Sequence, residues 1–211
     1  MARDGAVYAC QSCGAVQTKW SGQCPACQSW NTLVEEVGAK PPGALSTTKA
    51  TRMRGLQFTG LESETAPPPR ILTGVDEFDR VCGGGVVPGS AILIGGDPGV
   101  GKSTLLLQVC ASAAARGVSC AYISGEEAVE QIRGRADRMG LAKANVSLAA
   151  ETALRDILDG LKRDNFDLVV IDSIQTMWSD AHEAGPGTVT QVRACATELV
   201  RLAKKKGVAI L

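Results

Sequence analysis

The chain has 211 residues, with 22 basic and 22 acidic side chains, a formal net charge of zero and 45% apolar residues. This excludes a chain disordered throughout, and it excludes a global basic field, so nucleic-acid binding would have to come from local patches or an assembly. No apolar run approaches the ~18–20 residues that span a bilayer, and Met1–Gly5 opens no signal-peptide stretch, so no membrane role and a cytoplasmic location are expected.

Residues 1–34 form the first segment, with four of the eight cysteines within the first 27 positions. Cys10-Gln11-Ser12-Cys13 and Cys24-Pro25-Ala26-Cys27 are two C-x-x-C pairs, ten residues apart. Each pair presents two thiolates from one tight turn, and two facing knuckles make a tetrahedral S₄ site suited to Zn²⁺. A segment this short buries too little surface to fold alone, so the metal would drive its folding. Four ligands leave no open position, which makes the site structural. A redox dithiol, an iron–sulfur cluster and disulfides are the alternatives. Trp20 and Trp30 are expected to pack against the knuckles as a small core, with base stacking as the alternative.

Residues 35–69 balance four basic against four acidic side chains, lack apolar periodicity and end in Pro67-Pro68-Pro69, the pattern of a linker. Residues 70–211 alternate short apolar runs with helical patterns. Strands are expected at Ala91–Ile94, Ala121–Ser124, Val146–Leu148, Leu168–Asp172 and Val208–Leu211. Helices are expected at Lys102–Ala115, apolar on nearly all sides, at Ala128–Met139 with an exposed basic face, at Leu154–Arg163, and at Thr188–Lys206 with Val189, Val192, Leu199 and Leu202 near one stripe. Such alternation predicts an α/β fold, a parallel sheet with helical crossovers. The chain stops inside an apolar strand signal at Leu211, which reads as truncation within that domain.

Gly96-Asp97-Pro98-Gly99-Val100-Gly101-Lys102-Ser103 fits G-x-x-x-x-G-K-[ST] in full, with a strand expected before it and a helix after it. The glycines allow backbone N–H groups to turn around phosphate oxygens, and the following helix N-terminus favours the anion. ATP with Mg²⁺ is the expected ligand, held by Gly96, Asp97, Pro98, Gly99, Val100, Gly101, Lys102, Ser103 and Thr104. Lys102 reaches the β- and γ-phosphates, and the Ser103 hydroxyl ligates Mg²⁺. Asp172 ends the apolar run Leu168–Asp172 and is the second Mg²⁺-side carboxylate, acting directly or through water. Glu126 and Glu127 follow a strand at the carboxyl edge of the sheet, where water can be activated; Glu126 is preferred because Glu127 lies one step deeper into the helix. Both could instead be acids favouring a helix N-terminus. His182 reads as a surface residue. Cys82, Cys110, Cys120 and Cys195 read as packed or inert. Arg133, Arg135 and Arg138 serve phosphate contact or a solvated face equally well, and Lys204–Lys206 reads as a solvated helix end.

Taken together, the four-cysteine motif, Thr73-Gly74-Val75-Asp76-Glu77-Phe78-Asp79-Arg80, Gly83-Gly84-Gly85-Val86-Val87-Pro88-Gly89-Ser90, the P-loop, Ser124-Gly125-Glu126-Glu127 and Asp172-Ser173-Ile174-Gln175-Thr176 resemble the RadA (Sms) family of bacterial DNA repair proteins. The resemblance covers nearly the whole chain and is weakest in the linker. It implies a RecA-like P-loop NTPase core preceded by a zinc-ribbon-like module. It implies a DNA-dependent ATPase of recombinational repair, acting on single-stranded or branched DNA and promoting branch migration with RecA, assembled as a homo-hexamer when full length. It implies Glu126 and Lys102 as catalytic residues and Cys10, Cys13, Cys24 and Cys27 as zinc ligands. Family members continue through more of the core, a Lys-Asn-Arg-Phe-Gly motif and a Lon-like domain, none of which is in this sequence, so weak hydrolysis by this chain is expected. The alternatives are another RecA-like ring ATPase whose zinc module binds a protein partner, and a nucleotide-gated binding module without turnover. Transporter ATPases are disfavoured by the lack of a Ser-Gly-Gly signature before Asp172, and signalling GTPases by the lack of a D-x-x-G starting there.

Overall fold

A computed structural model describes residues 6–37, 60, 66, 68–181 and 184–211. The expected linker therefore lies largely outside the described residues, as does His182. The chain divides into two compact units, Met1–Pro67 and Pro68–Leu211.

In the first unit, β1 (Ala6–Cys10), β2 (Val16–Gln17) and β3 (Leu33–Val37) form an antiparallel sheet in the order β2-β1-β3. Tyr8 lies opposite Gln17 and Cys10 opposite Leu33. β3 continues past residue 34, beyond the segment boundary expected from composition. The interior consists of Cys10, Cys24 and Leu33, with Tyr8, Ala15 and Cys27 packed against them. The tryptophans do not join it: Trp20 is 59% exposed and Trp30 69% exposed. The packing expectation fails because the cysteine side chains and Leu33 already fill so small an interior. Trp30 instead lies along the outside of Gly22, where an added Cβ would meet its ring at 3.8 Å.

The second unit contains α1 (Asp76–Val81), α2 (Lys102–Ala115), β4 (Cys120–Ser124), α3 (Val129–Arg138), β5 (Val146–Ala150), α4 (Leu154–Arg163), β6 (Leu168–Asp172), α5 (Val189–Lys206) and β7 (Ala209–Ile210). The strands pair in parallel, in the order β5-β4-β6-β7. The continuous apolar runs of β4 and β6 are buried on both faces, as a parallel sheet covered by helices requires. Ala121, Ile123, Val169 and Ile171 pack with α4 and α5 on one side. Cys120, Tyr122, Leu168 and Val170 pack with α2 and Ile132 of α3 on the other.

Three local expectations change. Ala91–Ile94 is not a strand of its own: it makes a single parallel bridge, Ala91 to Ile210, with Ile92 N donating to Ile210 O at 2.9 Å. Its partner β7 is two residues long and Leu93 is 83% exposed, so the ladder is too short to extend. The buried stripe of α5 runs through Gln191, Cys195, Leu199 and Leu202, which leaves Val189 and Val192 half-buried. Finally, α1 was hidden from periodicity. It is fixed by Asp79, whose buried carboxylate accepts from Thr73 N at 3.0 Å, Thr73 Oγ1 at 2.8 Å and Gly74 N at 3.1 Å.

Candidate nucleotide and metal sites

The P-loop leaves the Ala91–Ile94 segment and turns into α2. Gly99 has φ 79° and Gly101 φ 98°, left-handed values that favour glycine, and Gly101 caps the helix. Leu105 N donates to Gly101 O at 2.9 Å, closing the first turn. That turn carries no acidic residue of its own to compete for its free N–H groups. Lys102 Nζ donates to the loop's own carbonyls, Gly96 O at 2.7 Å and Asp97 O at 2.9 Å. Glycines at left-handed φ, one lysine ammonium and an acid-free helix start are a donor set that fits a polyphosphate.

Asp172 ends β6 at the carboxyl edge, beside Ser124 of β4. Gly125 N donates to Asp172 O at 2.9 Å, joining the two strand ends. The Asp172 carboxylate is buried and accepts from Tyr122 OH at 2.5 Å. Burial, then the bond to Asp172 and its charge, push the Tyr122 hydroxyl well above its ordinary range. Lys102, Asp172 and Ser173 line one cavity of about 270 Å³, whose other walls include Leu93, Ile94 and Ile174.

The two glutamates after β4 separate by environment. Ser124 Oγ accepts from both backbone N–H groups, at 3.2 Å from Glu126 N and 2.9 Å from Glu127 N. The exposed Glu126 side chain accepts from Ser173 Oγ at 2.7 Å through Oε1. Glu127 is engaged by Arg135, at 2.5 Å. Arg135 is therefore not part of an exposed basic face; it turns inward at 14% side-chain exposure, while Arg133 and Arg138 remain outside. Thr176 Oγ1 donates to Ser173 O at 2.8 Å, and its side chain leaves no room at Gly125, where an added Cβ would come 2.9 Å from Thr176 Cβ. Sequence reasoning missed Tyr122, Ser173, Thr176 and the inward turn of Arg135. A single hydroxyl-bearing aromatic inside the apolar run Cys120–Ser124 was the available signal, since a buried tyrosine oxygen needs a partner.

The second site is the cysteine cluster. Cys10, Cys13, Cys24 and Cys27 place their sulfurs within 4.8 Å of one another. Cys10 and Cys27 Sγ are 3.6 Å apart, and Cys13 and Cys24 Sγ 3.7 Å. Disulfides need about 2.05 Å, whereas thiolates about 2.3 Å from a tetrahedral zinc lie about 3.8 Å apart. The two knuckles repeat one backbone pattern. Cys10 N donates to Ala15 O while Gly14 N donates to Cys10 O; Cys24 N donates to Ser29 O while Gln28 N donates to Cys24 O. Gly14 and Gln28 occupy matching left-handed positions, at φ 73° and 59°. The Thr32 hydroxyl leads the effects that pull the Cys10 thiol down to about 6; burial opposes it, and the backbone at Cys13 and Ser12 adds to it. This donor set fits a soft-ligand metal such as Zn²⁺.

Comparison with known proteins finds a family match within each of the two units. The family described as the KaiC ATPase matches residues 71–159, and the rubredoxin metal binding domain matches residues 8–35. DNA repair protein RadA of Brucella abortus (strain 2308) is 49% identical, covering 100% of this chain and 47% of that protein. The proteins of the same name from Bacillus subtilis (strain 168) and Rickettsia felis (strain ATCC VR-1525 / URRWXCal2) are 45% and 47% identical, each covering 100% of this chain and 46% and 47% of theirs. The chain thus spans about half the length of the curated relatives it matches. Its fold is α/β, a RecA-like ATPase core with a zinc-ribbon-like module, and no helix among the described residues is long and apolar enough to cross a membrane.

Proposed function

We propose that the chain belongs to the RadA family over the part of it that it spans, that it binds ATP with Mg²⁺ at the P-loop, and that the full-length protein hydrolyses it in response to DNA during recombinational repair. The observation that carries this reading is convergence at one sheet edge. Lys102 and Asp172 share a cavity, and Ser173, next in sequence, holds the only one of the two glutamates not engaged by Arg135.

Each side chain has a role in this reading. Gly96–Thr104 hold the phosphates, with Lys102 exchanging its loop carbonyls for phosphate oxygens. Ser103 and Asp172 hold Mg²⁺, which supplies positive charge to the β- and γ-phosphates. Glu126, fixed through Oε1, keeps Oε2 free to orient a water and take its proton. Cys10, Cys13, Cys24 and Cys27 hold Zn²⁺ and so fold the first unit. Single-stranded or branched DNA, the RecA recombinase as partner in branch migration, a homo-hexameric assembly and a cytoplasmic location follow from the family premise.

A second reading has its own support. The exposed Trp20 and Trp30, with Val16 and Val34 also exposed, suit a module that docks a protein partner on a ring ATPase of the same fold. Steady-state hydrolysis by the full-length protein, with and without single-stranded DNA and beside Lys102→Ala, separates the two. Stimulation by DNA that vanishes in Lys102→Ala is expected. Turnover indifferent to DNA would sink the DNA-dependent reading and favour the protein-partner one.

A further inference from the structure

Tyr122 is fully buried in the middle of β4. Its ring packs in the apolar cluster that includes Val109, Ile132 and Val170, where phenylalanine would fill nearly the same volume. The oxygen therefore needs its own account, because a buried hydroxyl costs free energy unless it is partnered. It meets three groups from three different elements. Asp172 Oδ2 on β6 accepts its proton at 2.5 Å. The Ser103 carbonyl oxygen, in the first turn of α2, lies at 3.4 Å. Arg135 Nη2 of α3, already committed to Glu127, donates to it at 3.4 Å. One oxygen thus touches both residues assigned to the Mg²⁺ side of the nucleotide site and the ion pair that holds Glu127.

The geometry points to Tyr122 as a positioning residue of the divalent-cation site: its hydroxyl pins Oδ2 of Asp172, holds that carboxylate in one rotamer against the Ser103 turn, and leaves Oδ1 for the cation. This rests on the reading of Asp172 and Ser103 as cation ligands. Tyr122 touches neither nucleotide nor metal and acts through Asp172. Arg135 adds a second support, since its guanidinium, mostly buried with Nε unpartnered, keeps positive charge beside the hydroxyl and favours its donating toward the carboxylate.

The test is binding of a fluorescent ATP analogue by the purified protein, titrated with Mg²⁺ and repeated in EDTA, for wild type, Tyr122→Phe, Asp172→Asn and the double variant. Tyr122→Phe is expected to raise the Mg²⁺ concentration at half-effect about tenfold, the scale of one lost hydrogen bond to a charged group. Binding in EDTA should stay within about twofold, because the P-loop is untouched. In the Asp172→Asn background the Phe substitution should add no further shift, since the two act as one unit. A Mg²⁺ titration unchanged in Tyr122→Phe would overturn the positioning role. Equal weakening with and without Mg²⁺, accompanied by a lower melting temperature, would also overturn it, by assigning the hydroxyl to stability alone. No Mg²⁺ shift in Asp172→Asn would instead sink the underlying cation-site reading, whatever Tyr122 does. Should Tyr122→Phe fail to fold, fluorotyrosine placed at position 122 keeps the shape and strengthens the donor; a lowered Mg²⁺ requirement is then expected, and an unchanged one overturns the proposal.

Discussion

The four-cysteine unit closes on Cys10, Cys24 and Leu33, whereas Pro68–Leu211 buries apolar side chains on both faces of a parallel sheet. In the first, two of the three buried positions are cysteines of the four-sulfur cluster, so little apolar surface is there to supply cohesion. In the second, cohesion is spread over many aliphatic contacts, each of modest size. The difference shows that burial alone does not say what holds a region together: Cys10 and Leu168 are equally inaccessible, yet one belongs to a cluster of four sulfurs that fits a metal and the other is an aliphatic side chain kept dry.

The sharpest way to break this comparison is to remove the metal. A strong chelator, or Cys24→Ser, is expected to unfold residues 6–37 while the Pro68–Leu211 melt stays in place, because structural zinc contributes on the order of 10 kcal/mol of apparent binding energy. Amide NMR spectra of the two regions would show it, and a retained first unit without metal would refute it. In the sheet, Leu168→Ala removes a fully buried side chain and should cost about 2–5 kcal/mol in denaturant unfolding of the second unit, leaving the metal site intact. Gly125→Ala forces a methyl against Thr176 at the joined ends of β4 and β6, with an expected loss of about 1–3 kcal/mol. That substitution also displaces Ser173 and Glu126, so turnover should fall more than nucleotide affinity; an equal fall in both would detach this contact from the glutamate. The smallest effect is expected at the tryptophans: Trp20→Ala and Trp30→Ala should change the stability of the first unit by no more than about 0.5 kcal/mol. A large loss would restore them to the core.

Much of this was legible in the residues, for reasons that differ by element. β4 and β6 could be read from continuous apolar runs, and the P-loop from glycines that no other residue replaces at φ near 79° and 98°. The clustering of the four cysteine sulfurs could be read from spacing, because each C-x-x-C turn brings its own pair together. Side-chain destinations were harder. Trp20 and Trp30 have the chemistry of core residues, and only the volume already taken by sulfur and Leu33 sends them outside. Arg135 sits on the same helix as Arg133 and Arg138, and its inward turn depends on Glu127 eight positions earlier and on Tyr122 from β4. α1 escaped because its anchor, Asp79, is a charged residue buried by four polar contacts to two backbone groups and one hydroxyl, not by a periodic stripe.

Lys102 resting on the Gly96 and Asp97 carbonyls gives the loop an internal brace. On the proposed reading, phosphate entry is an exchange reaction, in which the ammonium trades two neutral acceptors for charged ones. The brace also means that Lys102→Ala takes away two things at once, the charge that meets the phosphate and the tie that keeps the loop curled before any phosphate arrives. An uncharged side chain of similar length, as in Lys102→Met, removes both hydrogen bonds while keeping the apolar stem in place. Met against Ala at this position isolates what the stem's packing gives to the loop's readiness, and wild type against Met isolates the latch and charge at its tip.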